Sequence, residues 1–544
     1  MNMMRMPGTT HNQHSFVQSP KAEIPRSAFD RTCGFKTTFN GGDLVPVFVD
    51  EVLPGDTFNL KMTGFARLAT PLVPVMDNLY MDSFFFFVPY RLLWSNWEKF
   101  NGSQDNPGDS TSYIMPISTA PAVTGYAVGG LQDYMGLPTG VPGFTHQCLP
   151  MRAYNLIWND WFRDENLQNS IIVDQGDGPD TVANYVLKKR GKRHDYFTSS
   201  LPFPQKGPTV TLPLGTSAPV IGNGKAITMT DGTTSGGMGV DATGKLYFTS
   251  ANLNVNVGTT NAGTGVASNK TVNLPSSGTS NVIADLSLAT AASINQLRQA
   301  FQIQKLYERD ARGGTRYTEI IHAHFGVISD DARLQRPEYL GGGSSPIVIN
   351  PIAQTSAVTG QPTPQGNLAA IGTSTVHGHG FTKSFTEHGI LIGLVNVRAD
   401  LNYQQGLDRM WSRSGRFDFY WPALSHIGEQ AVLNKEIYCQ GTANPTADAA
   451  AFGYQERYAE YRYKPSKITG QFRSTYLQTL DIWHLAEKFT SLPVLNDTFI
   501  TSNPPISRII AVPTAPQFLF DSFFNLKCAR PMPTYSVPGF IDHF

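Results

Sequence analysis

Residues 389–397, Gly-Ile-Leu-Ile-Gly-Leu-Val-Asn-Val, form an apolar run bounded by polar residues, and residues 79–89, Leu-Tyr-Met-Asp-Ser-Phe-Phe-Phe-Phe-Val-Pro, form a second one. Both runs are far too short to span a membrane as helices. Neither shows the apolar–polar alternation of a strand with one face in water, so both faces of each run must be covered. We therefore predict two strands inside a layered β structure.

Further strand patterns lie near both ends of the chain. Residues 44–52 are rich in valine, the triplet at 54–56 (Pro-Gly-Asp) predicts a turn, and residues 57–68 alternate. Segments from about the first hundred residues must therefore pair with segments from about the last hundred and fifty, and the middle of the chain is inserted between them. This order predicts a mainly β fold, an antiparallel double sheet with long loops and a few helices. The remaining predicted strands are residues 347–352, 381–386 and 517–528.

A few segments show helical spacing instead. Residues 289–311 carry an apolar stripe and end just before a Gly-Gly pair, which predicts a helix. Residues 91–100, 152–167 and 316–325 are predicted as shorter helices. The glycine- and serine-rich residues 341–345 are predicted as a linker between strands.

Residues 208–285 differ in composition from the rest of the chain. They contain two aromatic residues, Tyr247 and Phe248, and are otherwise filled with Thr, Gly, Asn and Ser. Such a segment cannot bury a large core of its own, so we predict a β-rich surface insertion that protrudes from a body formed by residues 41–207 and 286–544. Residues 1–40 are polar and interrupted by prolines, which predicts an extended N-terminal arm.

The chain as a whole is poor in charge and rich in aromatic rings. Charged residues make up 15% of the 544 residues, against about a quarter in typical globular proteins, and aromatic residues make up 11%. A large β core explains part of this composition. Extensive subunit contact explains it better, because permanent interfaces lose charge and gain aromatic side chains. We therefore expect an assembly of identical subunits.

The charge balance and the cysteines limit the class of protein further. Forty-two basic and 42 acidic residues give a net charge of zero, which argues against a protein that neutralises nucleic acid over its whole surface. The four cysteines form no Cys-x-x-Cys pair, so neither a zinc ribbon nor a redox pair is indicated. Sparse cysteines and the lack of an apolar leader at residues 1–8 predict a soluble protein that is made and assembled in the cytoplasm, without membrane insertion.

Two stretches combine cations with aromatic side chains. Five cations lie within residues 188–193, followed by Tyr196 and Phe197, and residues 457–467 interleave cations with three tyrosines. Cations hold phosphates and aromatic rings stack on bases, so contact with single-stranded nucleic acid is one hypothesis. A solvated charge cluster, or contact with acidic residues of a neighbouring subunit, is the other. The candidate residues are Lys188, Lys189, Arg190, Lys192, Arg193, Arg457, Arg462, Lys464 and Lys467.

Metal and phosphate-loop motifs are weak. Two His-x-His pairs occur, at residues 322–324 and 377–379, and the second would place two imidazoles on one face of a strand. The next acid after it is Glu387, which is too distant for the spacing of cupin enzymes. Residues 239–245, Gly-Val-Asp-Ala-Thr-Gly-Lys, are followed by Leu246 where a phosphate-binding loop needs Ser or Thr, and a hairpin turn explains them. No pattern indicates an enzyme, a cofactor or a metal site.

Eight longer runs, in order along the chain, resemble the major capsid protein of the Microviridae, and the gokushovirus subgroup most. The resemblance extends from about residue 20 to the C-terminus. The runs are residues 47–58 (Val-Phe-Val-Asp-Glu-Val-Leu-Pro-Gly-Asp-Thr-Phe), 76–78 (Met-Asp-Asn), 85–94 (Phe-Phe-Phe-Val-Pro-Tyr-Arg-Leu-Leu-Trp), 154–161 (Tyr-Asn-Leu-Ile-Trp-Asn-Asp-Trp), 194–202 (His-Asp-Tyr-Phe-Thr-Ser-Ser-Leu-Pro), 204–207 (Pro-Gln-Lys-Gly), 312–317 (Arg-Gly-Gly-Thr-Arg-Tyr) and 336–342 (Arg-Pro-Glu-Tyr-Leu-Gly-Gly).

This resemblance implies an eight-stranded viral jelly roll with long loops. It implies a small T=1 icosahedral shell around circular single-stranded DNA, formed in a bacterial host with an internal scaffolding protein, a pilot protein and a small basic DNA-binding protein. It also implies that residues 208–285 cluster into protrusions, which we expect to contact a host cell-surface receptor. The family has no catalytic activity or cofactor to carry over.

Two other classes of protein stay open from the residues alone. One is a β-sandwich receptor-binding spike, which would form small discrete oligomers instead of large particles. The other is a cupin-like metal enzyme built on His377 and His379, which would bind metal stoichiometrically at those histidines.

Overall fold

The computed structural model describes residues 25–210, 294–314, 317–326, 334–355 and 365–535, together with six short strands between residues 220 and 284. The chain divides into two compact units. One comprises Met1–Pro204 and Gly313–Phe544, and the other comprises Gln205–Arg312.

Nine strands among the described residues of the first unit form one antiparallel sheet. In chain order the strands are β1 (Ser27–Asp30), β2 (Cys33–Phe39), β3 (Val45–Val52), β4 (Thr57–Leu68), β5 (Leu79–Pro89), β6 (Glu338–Ala353), β7 (Leu368–Ser384), β8 (Gly389–Ala399) and β9 (Phe518–Arg530). Hydrogen bonds give the strand order β1-β9-β4-β7-β6-β5-β8-β3, and β2 also pairs with β9. Strands from the two ends of the chain are therefore neighbours, which confirms the predicted pairing and the mainly β fold.

The sheet curls so that its two ends face each other across one core. Phe48 of β3 and Phe524 of β9 are far apart in the strand order, yet their ring centroids lie 5.0 Å apart. This arrangement is the predicted antiparallel double sheet and agrees with a jelly roll. The strands β1 and β2 lie end to end along β9, because Ser27–Asp30 pairs with residues 527–530 and Cys33–Phe39 with residues 518–524. The sheet is therefore eight strands wide.

Burial differs between the two halves of the sheet. Along β4 and β9 the residues alternate between buried and exposed, as expected for strands with one face on the core. In β8 every residue except Arg398 is buried. A second apolar cluster, which includes Trp94 and Tyr154, covers the other face of β5 and β8. The prediction that residues 79–89 and 389–397 are covered on both faces is confirmed.

The longer helices agree in part with the expectations. The predicted helix at 152–167 begins earlier, at Leu149, with Pro150 in its first turn, and its last turn, Trp158–Phe162, is a π-helix. The predicted helix at 91–100 is wrong except for its last turn. The predicted helix at 316–325 is confirmed over residues 317–325, and residues 316 and 289–293 lie outside the described part. The α-helices are Trp97–Phe100, Leu131–Tyr134, Leu149–Ile157, Ile294–Gly313, Tyr317–Phe325, Asn434–Ile437, Pro445–Ala449 and Asp497–Ile500.

The predicted linker at residues 341–345 is wrong, because these residues lie inside β6 and pair with β5. A Cβ atom on Gly342 would lie 2.0 Å from the carbonyl oxygen of Ser83. Glycine is therefore required here by the close approach of two strands and does not mark a loop.

The second unit contains the predicted insertion, residues 208–285, and all but the last residue of the helix Ile294–Gly313. Val240 pairs antiparallel with Leu246, and residues 241–245, where a hairpin turn is predicted, lie outside the described part. Its short strands are Val220–Gly222, Thr228–Thr230, Ser235–Val240, Leu246–Phe248, Thr271–Asn273 and Val282–Ala284.

The N-terminal arm predicted at residues 1–40 lies partly within the described residues. Residues 27–30 and 33–39 form β1 and β2, and residues 1–24 lie outside the described part. Within the described residues, no helix is long and apolar enough to cross a membrane.

Shorter strand pairs join Ile117–Thr119 to Thr145–Gln147, Asn402–Tyr403 to Ser466–Lys467, and Glu429–Leu433 to Ala451–Glu456.

Candidate nucleic-acid interface

The first basic stretch, residues 188–193, is held by backbone hydrogen bonds on both sides. The amide of Arg190 donates to the carbonyl of Gly42 at 2.9 Å, and the amide of Lys192 donates to the carbonyl of Ile500 at 2.7 Å. The stretch therefore has a fixed position beside the start of β3.

Besides Arg190, three cations of this stretch form ion pairs with acids of the same chain. The N–O distances are 2.9 Å from Lys189 to Asp43, 2.8 Å from Lys192 to Glu487, and 3.1 Å from Arg193 to Asp400. Lys192 also lies 4.7 Å from the ring centroid of Phe499, and its side chain is almost fully buried. Much of the charge that the sequence places here is therefore neutralised within the subunit.

Arg190 belongs to a buried cluster of three charges. Its Nη1 donates to Asp82 at 2.5 Å, and Arg398 donates to the same carboxylate at 2.9 Å. Burial alone would raise the pKa of Asp82, but the Ser344 hydroxyl and the two guanidinium groups outweigh it and lower that pKa. Burial, and then the neighbouring Arg398, lower the pKa of Arg190 to about 10.

Lys188 differs from its neighbours. Its ammonium group lies 5.5 Å from the ring centroid of Trp158 and has no ion pair within the described part of the chain. Its backbone amide donates to the hydroxyl of Tyr154 at 3.0 Å. Lys188 is therefore the cation of the first stretch whose charge has no carboxylate beside it.

The second basic stretch, residues 457–467, is more open. Arg462 forms an ion pair with Glu456, and Lys467 lies 2.7 Å from Asp408, but the side chains of both are close to half exposed. Lys464 is exposed and has no ion pair among the described residues. Arg457 faces another way, since it donates to the carbonyl of Phe417 at 3.0 Å and stacks on Tyr458.

The structure brings parts of both stretches to one cavity of about 350 Å³. Tyr196 and Phe197 follow the first stretch directly, and Arg462, Lys464 and Lys467 belong to the second. The five cations at residues 188–193 do not line this cavity, and neither does Arg457. The site therefore combines the aromatic part of the first stretch with the basic part of the second.

Hydrogen bonds fix the inner wall of the cavity. The Tyr403 hydroxyl donates to Asp195 at 2.5 Å, and the Tyr196 hydroxyl donates to Glu436 at 3.0 Å. Burial, followed by Asp195, raises the pKa of Tyr403, and burial raises the pKa of Glu436 although Arg409 opposes it. The rings of these tyrosines are thereby held in one orientation.

Sequence patterns did not indicate three further cations of the cavity, Arg409, Arg413 and Arg473. Arg409 donates to Glu436 at 3.0 Å, and Arg413 pairs with Glu460 at 3.3 Å. These arginines lie in irregular segments, where spacing along the chain does not predict position. The one sequence signal for Arg409 and Arg413 is the density of arginine and aromatic residues between 409 and 421, and Arg473 has none.

The second histidine pair, at residues 377–379, does not have the strand geometry that would place both imidazoles on one face. Gly378 has a positive φ of 71°, and the register shifts between Val376 and His379, so residues 377–379 do not follow regular strand geometry. The two ring nitrogens of His379 lie 2.7 Å and 3.3 Å from the hydroxyls of Ser83 and Ser345. Across the part of the chain that the structure describes, no group of three His, Cys, Asp or Glu side chains is arranged to hold a metal ion.

Comparison with known proteins agrees with the fold. The capsid protein (F protein) family matches residues 16–540. The chain is 52% identical to capsid protein VP1 of Bdellovibrio phage phiMH2K over 99% of both chains. It is 47% identical to capsid protein VP1 of Chlamydia phage 1 over 98% of both chains, and 38% identical to that of Spiroplasma virus 4 over 97% of both. The resemblance found in the sequence is thereby confirmed, and the chain belongs to the capsid protein (F protein) family, as a capsid protein of the gokushovirus group of the Microviridae.

Proposed function

We propose that this capsid protein closes into a T=1 icosahedral shell around a circular single-stranded DNA genome in the cytoplasm of a bacterial host. The observation that carries the proposal is the match to capsid protein VP1 along nearly the whole chain. A curled antiparallel double sheet is a rigid unit, and closed symmetry adds many weak contacts between such units into a stable container.

The surface of the isolated subunit supports assembly with identical copies. Trp411, Phe417 and Leu477 are 70%, 63% and 96% exposed. Large apolar side chains that lie exposed on a free surface mark an interaction site. Aromatic residues and arginine are typical of the centres of interfaces. Neighbouring subunits cover these residues in the shell.

The net charge of zero suits a shell in which a second protein supplies much of the positive charge around the DNA. A small basic DNA-binding protein supplies it, and an internal scaffolding protein and a pilot protein complete the assembly. The role of the chain is structural, without catalysis.

The two basic stretches contact DNA or a neighbouring subunit. Lys188 and Lys464, which lack ion pairs in the described part of the chain, contribute most, and the paired cations of residues 188–193 contribute less. Charge reversal by Lys188→Glu and Lys464→Glu lowers DNA retention or the yield of particles. Normal yields of full particles from the double variant would contradict this assignment.

Nuclease protection tests the proposed function directly. Particles purified from infected cells are treated with nuclease, and the surviving nucleic acid is then extracted. The proposal predicts circular DNA that a single-strand-specific nuclease degrades only after the particles are opened. Particles that contain no protected DNA, or only duplex DNA, would contradict it.

A further inference from the structure

The cavity of about 350 Å³ has the charge, the aromatic walls and the size of a site for one nucleotide. We propose that it binds a single nucleotide of single-stranded DNA, with the base against its tyrosines and the phosphates on its cationic rim. The identification of DNA as the natural ligand rests on the proposed function. The capacity to bind a single-stranded oligonucleotide is a property of the site itself.

The charges of the lining favour an anion. Six cations line the cavity, against three acids, Asp408, Glu436 and Glu460. Glu436 and Glu460 are engaged by Arg409 and Arg413, so the inner charges largely cancel. Asp408 is engaged by Lys467 at 2.7 Å, so the excess of positive charge lies with the outer cations Arg462, Lys464 and Arg473.

The outer cations are available to a phosphate. Lys464 has no ion pair among the residues described, and Arg462 is paired only with Glu456, which lies outside the lining. An ammonium or guanidinium group that is exposed at a rim binds phosphate without a large desolvation penalty. The rim therefore supplies the sequence-independent part of binding.

The aromatic walls distinguish a nucleotide from a simple anion. Tyr461 and Tyr463 are each 50% exposed, so ring surface is free for stacking. The Arg413 guanidinium lies 4.3 Å from the centroid of Tyr461 and supports that ring from one side. Bases of any sequence stack on such rings. An acidic peptide would use the cations but would gain nothing from the tyrosines.

Oligonucleotide binding by the full-length, unassembled protein tests the proposal. The probe is a short fluorescent oligodeoxythymidylate, and its anisotropy is measured over a series of salt concentrations. Tyr463→Ala is expected to weaken binding about tenfold with an unchanged salt dependence, because one stacking contact is lost. Lys464→Gln is expected to weaken binding and to reduce the slope of log K against log salt by about 0.7, because one phosphate contact is lost.

Matched controls carry the same changes elsewhere on the surface. Lys61→Gln removes an exposed cation of β4, and Tyr535→Ala removes an exposed tyrosine that does not line the cavity. Both are expected to bind like the wild type. Unchanged affinity in Tyr463→Ala and Lys464→Gln would overturn the proposal. So would competition by an oligoglutamate peptide at the concentration at which unlabelled oligonucleotide competes, since the site would then recognise charge alone.

The proposed site and the proposed function fail in different ways. If particles protect single-stranded DNA but the cavity variants bind oligonucleotide normally, the site is wrong and the shell stands. If the cavity variants lose binding but native particles contain no DNA, the site stands and the proposed contents of the shell are wrong.

Discussion

Asp82 is a single residue that determines whether Arg190, a cation of the first basic stretch, is available to a ligand. It accepts hydrogen bonds from Arg190 and Arg398 and is 5% exposed. Removing one partner of a buried ion pair leaves an uncompensated charge, which costs far more than the loss of an exposed pair. Asp82 therefore keeps Arg190 inside the subunit.

Asp82→Asn is expected to lower the free energy of unfolding by about 3 kcal/mol, because Arg190 and Arg398 would stay buried without a counter-charge. Asp521→Asn is the control, since Asp521 forms an exposed pair with Lys36 at 3.2 Å. It is expected to change stability by less than about 1 kcal/mol. Urea denaturation of the unassembled protein measures both, and equal effects would contradict the role given to Asp82.

The same carboxylate predicts a dependence on acid. The pKa of Asp82 is lowered in the folded protein, so its contribution to stability is present above the unfolded value of about 3.9 and is lost as the pH falls through the folded pKa. The difference in unfolding free energy between the wild type and Asp82→Asn should therefore be constant from pH 7 to about pH 5 and should shrink below about pH 4. A difference that stays constant at pH 3 would contradict the lowered pKa.

At this scale the sequence predicted the types of residue but not their partners. The cations of residues 188–193 are five neighbours in the chain, whereas the acids beside them are Asp43, Asp82, Asp400 and Glu487. Those acids come from four distant segments that only the fold brings together. Spacing along the chain carries no information about such pairs.

Strands β5, β6 and β7 show what glycine does at the scale of an element. Gly342 and Gly380 lie where backbones approach so closely that a Cβ would sit 2.0 Å from the carbonyl oxygens of Ser83 and Leu60. Backbone atoms cannot move aside as the end of a flexible side chain can. These glycines are therefore requirements of the curled sheet.

Gly342→Ala is expected to destabilise the subunit by about 2 kcal/mol or more, because the added methyl group forces the strands apart. Gly34→Ala in β2 is the matched control, since its Cβ would lie 3.7 Å from the nearest atom, the oxygen of Ser522. The control should be neutral or slightly stabilising. Thermal unfolding of the two variants measures the difference, and a Gly342→Ala protein as stable as the control would count against the close approach.

The strands that were predicted well from the sequence each show a clear pattern of apolar residues. Residues 57–68 alternate moderately in sequence, with Phe65 out of phase, and β4 has those bounds. The continuous apolar runs at β5 and β8 were also clear. The strand at residues 341–345 was missed because composition typical of a linker outweighed a requirement set by Ser83, more than 250 residues away.

At the scale of the whole molecule, the insertion at residues 208–285 is the feature whose role is open to experiment. We expect it to project from the shell and to bind a host cell-surface receptor, because its Thr-, Asn- and Gly-rich composition offers many hydrogen-bonding groups. Particles that lack the tip of the insertion should form in normal yield but adsorb poorly to cells. Normal adsorption by intact deleted particles would leave the insertion as a decoration of the shell and would end the receptor hypothesis.

The central claim is that exposed apolar surfaces of this subunit are covered by identical copies of itself. Sedimentation velocity of the protein from infected cells, with imaging of the same fractions, tests that claim most directly. Closed hollow particles of megadalton mass are the predicted result. A stable folded monomer of about 59.6 kDa that forms no shells would contradict the account.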